Sequence, residues 1–181
     1  CLSVNEDAMM RDARDSREVL RSPWYEQMFK PQWSLKTDQD AVTNYANTMG
    51  GSRVSKAQGS EIVGLRGDCL LLDDPNTPHE AESKKARDEV NELWETNIYN
   101  RVNDLTKSMW IGVQQRTNSG DWSGYVLKTT GAWNEQTNPG GWLHIVLPAE
   151  YEAARKCVTP WGSDPRTIEG ETIHKERLPP E

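Results

Sequence analysis

Four apolar residues, Cys69-Leu70-Leu71-Leu72, run without interruption into Asp73-Asp74-Pro75. An unbroken apolar run closed by a turn signal predicts a strand buried on both faces, as in a parallel sheet. Cys69 is then a small core residue. A second apolar run, residues 109–113, closes on Gln114-Gln115-Arg116. Between the two, Ala81, Ala86, Val90, Leu93, Trp94 and Ile98 fall near a 3.6-residue period, which predicts one long helix over residues 78–99. A helix of that length serves as the crossover between parallel strands.

The remaining pattern is weaker. Residues 2–4 predict a short strand, and residues 6–20 a helix with Asn5 as its N-cap. Pro23 ends that helix, and Trp24, Tyr25, Phe29 and Trp33 form an aromatic cluster in a loop or short helix. Residues 41–48 alternate, Gly50-Gly51 signals a hairpin turn, and residues 52–57 read as the return strand. Residues 121–127 predict a short helix, 142–147 a strand stopped by Pro148, and 149–156 a brief helix. Strand, long helix, strand, helix, strand gives an α/β fold, a mostly parallel sheet with flanking helices.

Composition changes the picture little. A chain of 181 residues is one domain or part of one, long enough to remove about 70% of its unfolded surface from water. The net charge of −7, with no dense basic run, gives no electrostatic argument for nucleic acid or an anionic membrane. Cys1, Cys69 and Cys157 are far apart and form no CxxC pair, which suits a reducing cytoplasm. No stretch approaches the ~20 apolar residues of a membrane span, and none reads as a signal peptide. His79, His144 and His174 are scattered, with no cysteine or acid at ligand spacing. The eight tryptophans follow no period and read as core or interface packing rather than a stacking platform for bases. The chain opens in mid-strand without Met and closes on Leu178-Pro179-Pro180-Glu181, a linker-like end. The expected reading is a fragment of a longer chain.

The chemistry-bearing residues follow the two apolar runs. Parallel sheets place their chemistry just beyond the carboxyl ends of the strands, where Asp73 and Asp74 stand. Two acids there have the look of a Walker B segment: one holds Mg²⁺ through its water shell and the next activates a water against a γ-phosphate. The alternative is a turn with proline at a favoured position.

Four pieces in order extend this reading. They are Gly64-Leu65-Arg66-Gly67-Asp68, the strand with Asp73-Asp74-Pro75, a helix carrying Glu80-Ala81-Glu82-Ser83, and a strand ending Gln114-Gln115-Arg116-Thr117-Asn118-Ser119-Gly120-Asp121. Together with the Gly50-Gly51-Ser52-Arg53 turn and residues 142–148, the chain resembles the large terminase subunit of tailed bacteriophages. That resemblance implies the P-loop NTPase (ASCE) core of a motor that hydrolyses ATP with Mg²⁺ and packages viral double-stranded DNA into the capsid. It implies a homo-oligomeric ring on the portal protein, a small terminase subunit as partner, no membrane, and the host cell cytoplasm.

By the same resemblance Asp73 is the metal acid and Asp74 the base that orients water. Asp74 stands where many such motors use glutamate, so its carboxylate sits about one methylene further back. Arg66 is either an arginine inserted into a neighbouring subunit's site or a surface arginine in a Gly-rich loop. An arginine finger contributes ~10³–10⁵ in rate. Gln114, Gln115 and Arg116 take the place of the γ-phosphate-sensing coupling motif, or are solvated polar residues at a strand end. Arg116 with Asp121 forms the R-x-x-x-x-D pattern, whose favoured role is an ion pair that fixes the loop.

No G-x-x-x-x-G-K-[ST] phosphate loop occurs in the chain. The expectation is a core truncated at its N-terminus, lacking a central strand beside the Asp73 strand. Residues 1–158 are then the C-terminal portion of the ATPase core, and residues 159–181 a lid or linker toward an absent nuclease domain. Two other readings remain: a metal-dependent nuclease built on Asp73 and Asp74, and a non-catalytic α/β binding module.

Overall fold

The computed structural model describes residues 1–174 and 176. The expected linker at residues 178–181 lies outside them. Two compact units divide within a helix, at Tyr125 and Val126. The expected boundary at 158/159 rested on composition and falls inside the second unit.

In the first unit the chain runs through β1 (Leu2–Ser3), α1 (Glu6–Arg21), α2 (Pro23–Phe29), β2 (Leu35–Ala41), β3 (Asn44–Asn47), β4 (Ser52–Val54), β5 (Lys56–Ala57) and β6 (Cys69–Asp73). It continues through α3 (Pro78–Glu82), α4 (Lys84–Leu93), a π-helical turn (Trp94–Ile98), β7 (Met109–Val113) and the start of α5 (Trp122–Thr129). The capping expected at Asn5 is present: its side chain accepts the Ala8 N–H. Ser22 closes α1 and caps α2 with its side chain, and Pro23 follows as the first helical residue.

The central sheet has four strands in the order β5-β1-β6-β7, all parallel. The α/β class with a mostly parallel sheet is therefore present, and β6 and β7 are direct parallel neighbours, with Cys69 opposite Met109 and Asp73 opposite Val113. The expected vacancy beside β6 is not there, because β1 and β7 occupy both of its edges. The open edge belongs to β7: among the described residues, no strand pairs with its outer side. Sheet order is a property of inter-strand hydrogen bonding, which a one-dimensional pattern does not carry.

Register partners on parallel strands stand on the same face, and alternate residues on opposite faces. One face carries Leu2, Leu70, Leu72, Trp110 and Gly112. Against it lie Val90 and Leu93 of α4, Trp94 and Ile98 of the π turn, and Trp122. Trp94 meets Trp122 edge-on at 5.2 Å, and Tyr99 stacks on Trp110 at 5.0 Å. Such pairs contribute about 0.5–1.5 kcal/mol each beyond their buried area. Gly112 is required here, since a Cβ would lie 2.2 Å from the Trp122 ring.

The opposite face carries Ser3, Cys69, Leu71, Asp73, Met109, Ile111 and Val113. It is covered over β1 and β5 by α1 and left open over β7, where Met109, Ile111 and Val113 are exposed. The expectation of a strand buried on both faces is corrected accordingly. Leu72 alone of the β6 leucines is fully buried, and Cys69 is exposed rather than a core residue.

Three further expectations change. The helix over residues 78–99 is broken at Ser83, which ends α3 in an extended conformation and caps α4 by accepting the Ala86 N–H. Serine competes with the helix for backbone donors, so it favours a cap over a helix interior. A polar strand that the pattern does not reveal, β2, joins β3 and β4 in a separate antiparallel sheet of three. The return strand expected over 52–57 is split, since β4 stays in that sheet while β5 pairs with β1.

The second unit has little regular structure. The strand expected over 142–147 is reduced to one bridge between Ala132 and Trp142, and the helix over 149–156 to a 3₁₀ turn at Ala153–Arg155. A short hairpin, β8 (Val158–Thr159) and β9 (Gly162–Ser163), occupies the start of the polar tail. Arg166 anchors this unit: it pairs with buried Asp164 at 2.8 Å and donates to the carbonyls of Ala149 and Glu171. The resulting hydrogen bonds hold the Asp164 carboxyl below the usual carboxylate range.

Candidate functional site at the carboxyl ends of β6 and β7

Two parallel neighbours joined by a helical crossover end on the same side of a sheet. That rule puts Asp73 and Asp74 beside the loop that begins at Gln114. Asp74 ties the two strand ends together. Its N–H donates to the Val113 carbonyl at 2.9 Å, and its Oδ1 accepts the Gln115 N–H at 3.2 Å. Its φ of +44° lies in the left-handed region, at a cost of order 1–3 kcal/mol for a residue with a Cβ. Aspartate tolerates this conformation because its short carboxylate bonds to nearby backbone. Asp74 is exposed.

Asp73 points to the face covered in part by α1. Its carboxyl has a raised pKa, first because burial disfavours the charged form. The second cause is Asp12 of α1, which raises it through side-chain hydrogen bonding and charge; the Asp74 charge adds to the effect, and Arg11 opposes it. Arg11 itself pairs with Asp12 at 2.8 Å. Opposite Asp73 in the β1 register is Ser3, 2% exposed, whose Oγ has no hydrogen-bond partner.

The loop after β7 is braced from both sides. Gln114 Oε1 accepts from the Ser123 N–H at 3.3 Å and the Ser123 hydroxyl at 2.9 Å, while its Nε2 is buried without a partner. Arg116 Nε lies 3.1 Å from Asp121, so the ion pair expected of the R-x-x-x-x-D pattern is present. Asp121 is fully buried and also accepts from the N–H groups of Thr117, Asn118 and Gly124. The first three amides of α5 are therefore satisfied by side chains from three segments: Asn76 to Trp122, Gln114 to Ser123, and Asp121 to Gly124. Unpaired donors at a helix start need such partners.

Arg66 is not brought to this site within one copy of the chain. It precedes β6, and its Nη1 donates to the Val102 carbonyl at 3.1 Å. Asp74 follows the other end of the strand, and five residues of β6 alone span ~17 Å. Sequence reasoning missed Asp12, Ser3 and Asn76. Asp12 sits on the inward side of α1, next to Met9 and Ala13, with no motif to mark it, and Asn76 reads as one more turn residue.

Among the described residues, no group of three or more His, Cys, Asp or Glu is arranged to hold a metal ion. Mg²⁺ asks for less, since it keeps most of its waters and takes one or two carboxylates. The half-buried Asp73 carboxyl, across from the orphaned Ser3 hydroxyl, meets that smaller requirement. No G-x-x-x-x-G-K-[ST] phosphate-loop motif occurs in the sequence. Compared with protein-family models and with curated proteins, the chain matches none.

Proposed function

We propose that this chain carries the cation-and-water end of an ATPase site, in the P-loop (ASCE) core of a motor of the large-terminase kind that packages viral double-stranded DNA. The observation that carries the reading is the parallel pairing of β6 with β7, whose carboxyl ends put Asp73, Asp74 and the Gln114–Arg116 loop together. In this reading Asp73 holds Mg²⁺ through its water shell, which supplies charge neutralisation at the phosphates. Asp74 orients the attacking water. Gln114, Gln115 and Arg116 respond to the γ-phosphate, and their bonds to α5 carry that response out of the site. Arg66 serves a neighbouring copy in a homo-oligomeric ring, since its own Asp74 is at the far end of β6. A portal protein, a small terminase subunit and the host cytoplasm belong to the same proposal.

The 181-residue chain by itself then turns over no ATP, for lack of a phosphate cradle. Steady hydrolysis by the purified chain, abolished by Asp73→Ala, would contradict this. In a longer protein that includes a phosphate loop, Asp74→Asn removes hydrolysis and spares ATP binding. Arg66→Ala also stops turnover, and mixing the two variants restores part of it. Mixtures that assemble and recover nothing would remove Arg66 from the site.

The nuclease alternative gains Asp12 as a further acid acting on Asp73. Two-metal cleavage needs several carboxylates around paired ions. Nicking of supercoiled DNA by this chain with Mn²⁺, lost in Asp73→Ala, would favour it. The binding-module reading predicts neither activity and no response to Asp73→Ala.

A further inference from the structure

We infer that the cavity between α1 and the antiparallel sheet of β2, β3 and β4 binds a small aromatic carboxylate, with Arg53 and Tyr45 taking its anionic group. This goes beyond the proposed function, since none of the residues lining the cavity belongs to β6, β7 or the loop at Gln114. Register sets Leu35 opposite Asn47 and Tyr45 opposite Arg53, so all four stand on one face of that sheet. Val19 and Leu20 of α1 and the Trp33 side chain complete the wall. Arg17 ties α1 to the sheet: it donates to the Asp40 carbonyl at 2.7 Å and pairs with the Asp40 carboxylate at 3.4 Å. The cavity measures about 530 Å³. Small-molecule sites usually span roughly 300–1,000 Å³.

Two polar groups of this wall lack partners, and they name the ligand's chemistry. Tyr45 is 3% exposed, and its hydroxyl has no hydrogen-bond partner. A buried phenol normally finds one. Arg53 is half-buried, its Nε has no partner, and among the described residues no carboxylate pairs with its guanidinium. Ser16 and Asn47, also in the wall, are already engaged: Ser16 Oγ donates to the Asp12 carbonyl at 2.6 Å, and Asn47 Oδ1 accepts the Met49 and Gly51 N–H groups. What the wall offers is therefore donors and a positive charge. The planar guanidinium fork matches a carboxylate, and the phenol donates to a carboxylate oxygen as well. Val19, Leu20 and Leu35 leave the rest of the cavity apolar, and the Trp33 indole offers a face for a flat ring.

The test is isothermal titration calorimetry of the 181-residue chain with 2-naphthoate and with 2-naphthamide, a charged and a neutral molecule of one shape. The chain should bind the carboxylate, and the amide at least about tenfold more weakly, because the amide lacks the charge that Arg53 pairs with. Arg53→Met should weaken binding of the carboxylate at least about tenfold and erase the preference over the amide. Tyr45→Phe should weaken it severalfold without lowering the melting temperature of the free chain, since the hydroxyl bonds to nothing there. Asp73→Asn should bind the carboxylate as the unaltered chain does. Circular dichroism checks the fold. If Arg53→Met unfolds, Arg53→Gln is titrated in its place under the same expectation. No binding of the carboxylate by the unaltered chain at millimolar concentration would overturn the site. Equal affinity for carboxylate and amide, or binding unchanged in the Arg53 variant, would overturn it too, since the cavity would then ignore charge. Either failure leaves the ATPase reading standing.

Discussion

Asn76 Oδ1 accepts the N–H of Trp122 at 2.9 Å, fastening the loop after β6 to the first residue of α5. Asn76 is 2% exposed, so this bond forms away from water. The same Trp122 ring lies over Gly112 of β7. One tryptophan thus reads the position of both strands that end at the acidic pair.

Asn76→Ala should destabilise the first unit by about 1–3 kcal/mol, because it leaves the Trp122 amide buried and unpaired. Urea unfolding followed by tryptophan fluorescence measures this. A midpoint unchanged from that of the unaltered chain would mean that water or another group replaces Asn76 at no cost.

Gly112→Ala should also destabilise, by about 1–3 kcal/mol, as an overpacked contact. The new methyl meets Cζ3 of Trp122 at 2.2 Å, so the ring must shift. Thermal unfolding and the near-ultraviolet tryptophan signal should both change. A normal melting temperature with an unaltered tryptophan spectrum would refute the contact.

Asp73 gives a pH prediction in the absence of divalent cations. Its folded pKa is raised, so the folded state holds the proton more tightly than the unfolded state does. The carboxyl therefore favours folding most below about pH 4, the ordinary aspartate range, and that contribution is lost as pH rises through the folded value. Asp73→Asn should raise the melting temperature at pH 7, and the gain should vanish in acid. A gain independent of pH would assign the effect to something other than ionisation.

The second unit gives the opposite sign. Arg166 lowers the Asp164 pKa chiefly through its hydrogen bonds, so this contribution to stability is present above the ordinary aspartate range and lost as pH falls through the lower folded value. Arg166→Met should destabilise the unit most at neutral pH, where Asp164 stays charged and buried without its partner. The deficit relative to the unaltered chain should narrow in acid. Melting curves across pH test this, and a deficit constant with pH would show that only packing had been lost.

The α/β class, the strands β6 and β7, and the shared edge of Asp73, Asp74 and Gln115 were legible in the sequence. Each follows from a local rule: an apolar run makes a strand, a long amphipathic stretch makes a crossover, and parallel strands so joined end together. The Arg116–Asp121 pair was legible as well, because its partners lie within one loop. What tertiary structure decided is everything that depends on how distant segments meet. The seat of β1 beside β6, the open edge of β7, the exposure of Cys69 and the effect of Asp12 on Asp73 leave no trace in spacing. Periodicity records which side of an element is apolar. Which element then covers that side is fixed by inter-strand hydrogen bonds and by the packing of α1 on the sheet, and these join residues that the sequence keeps apart.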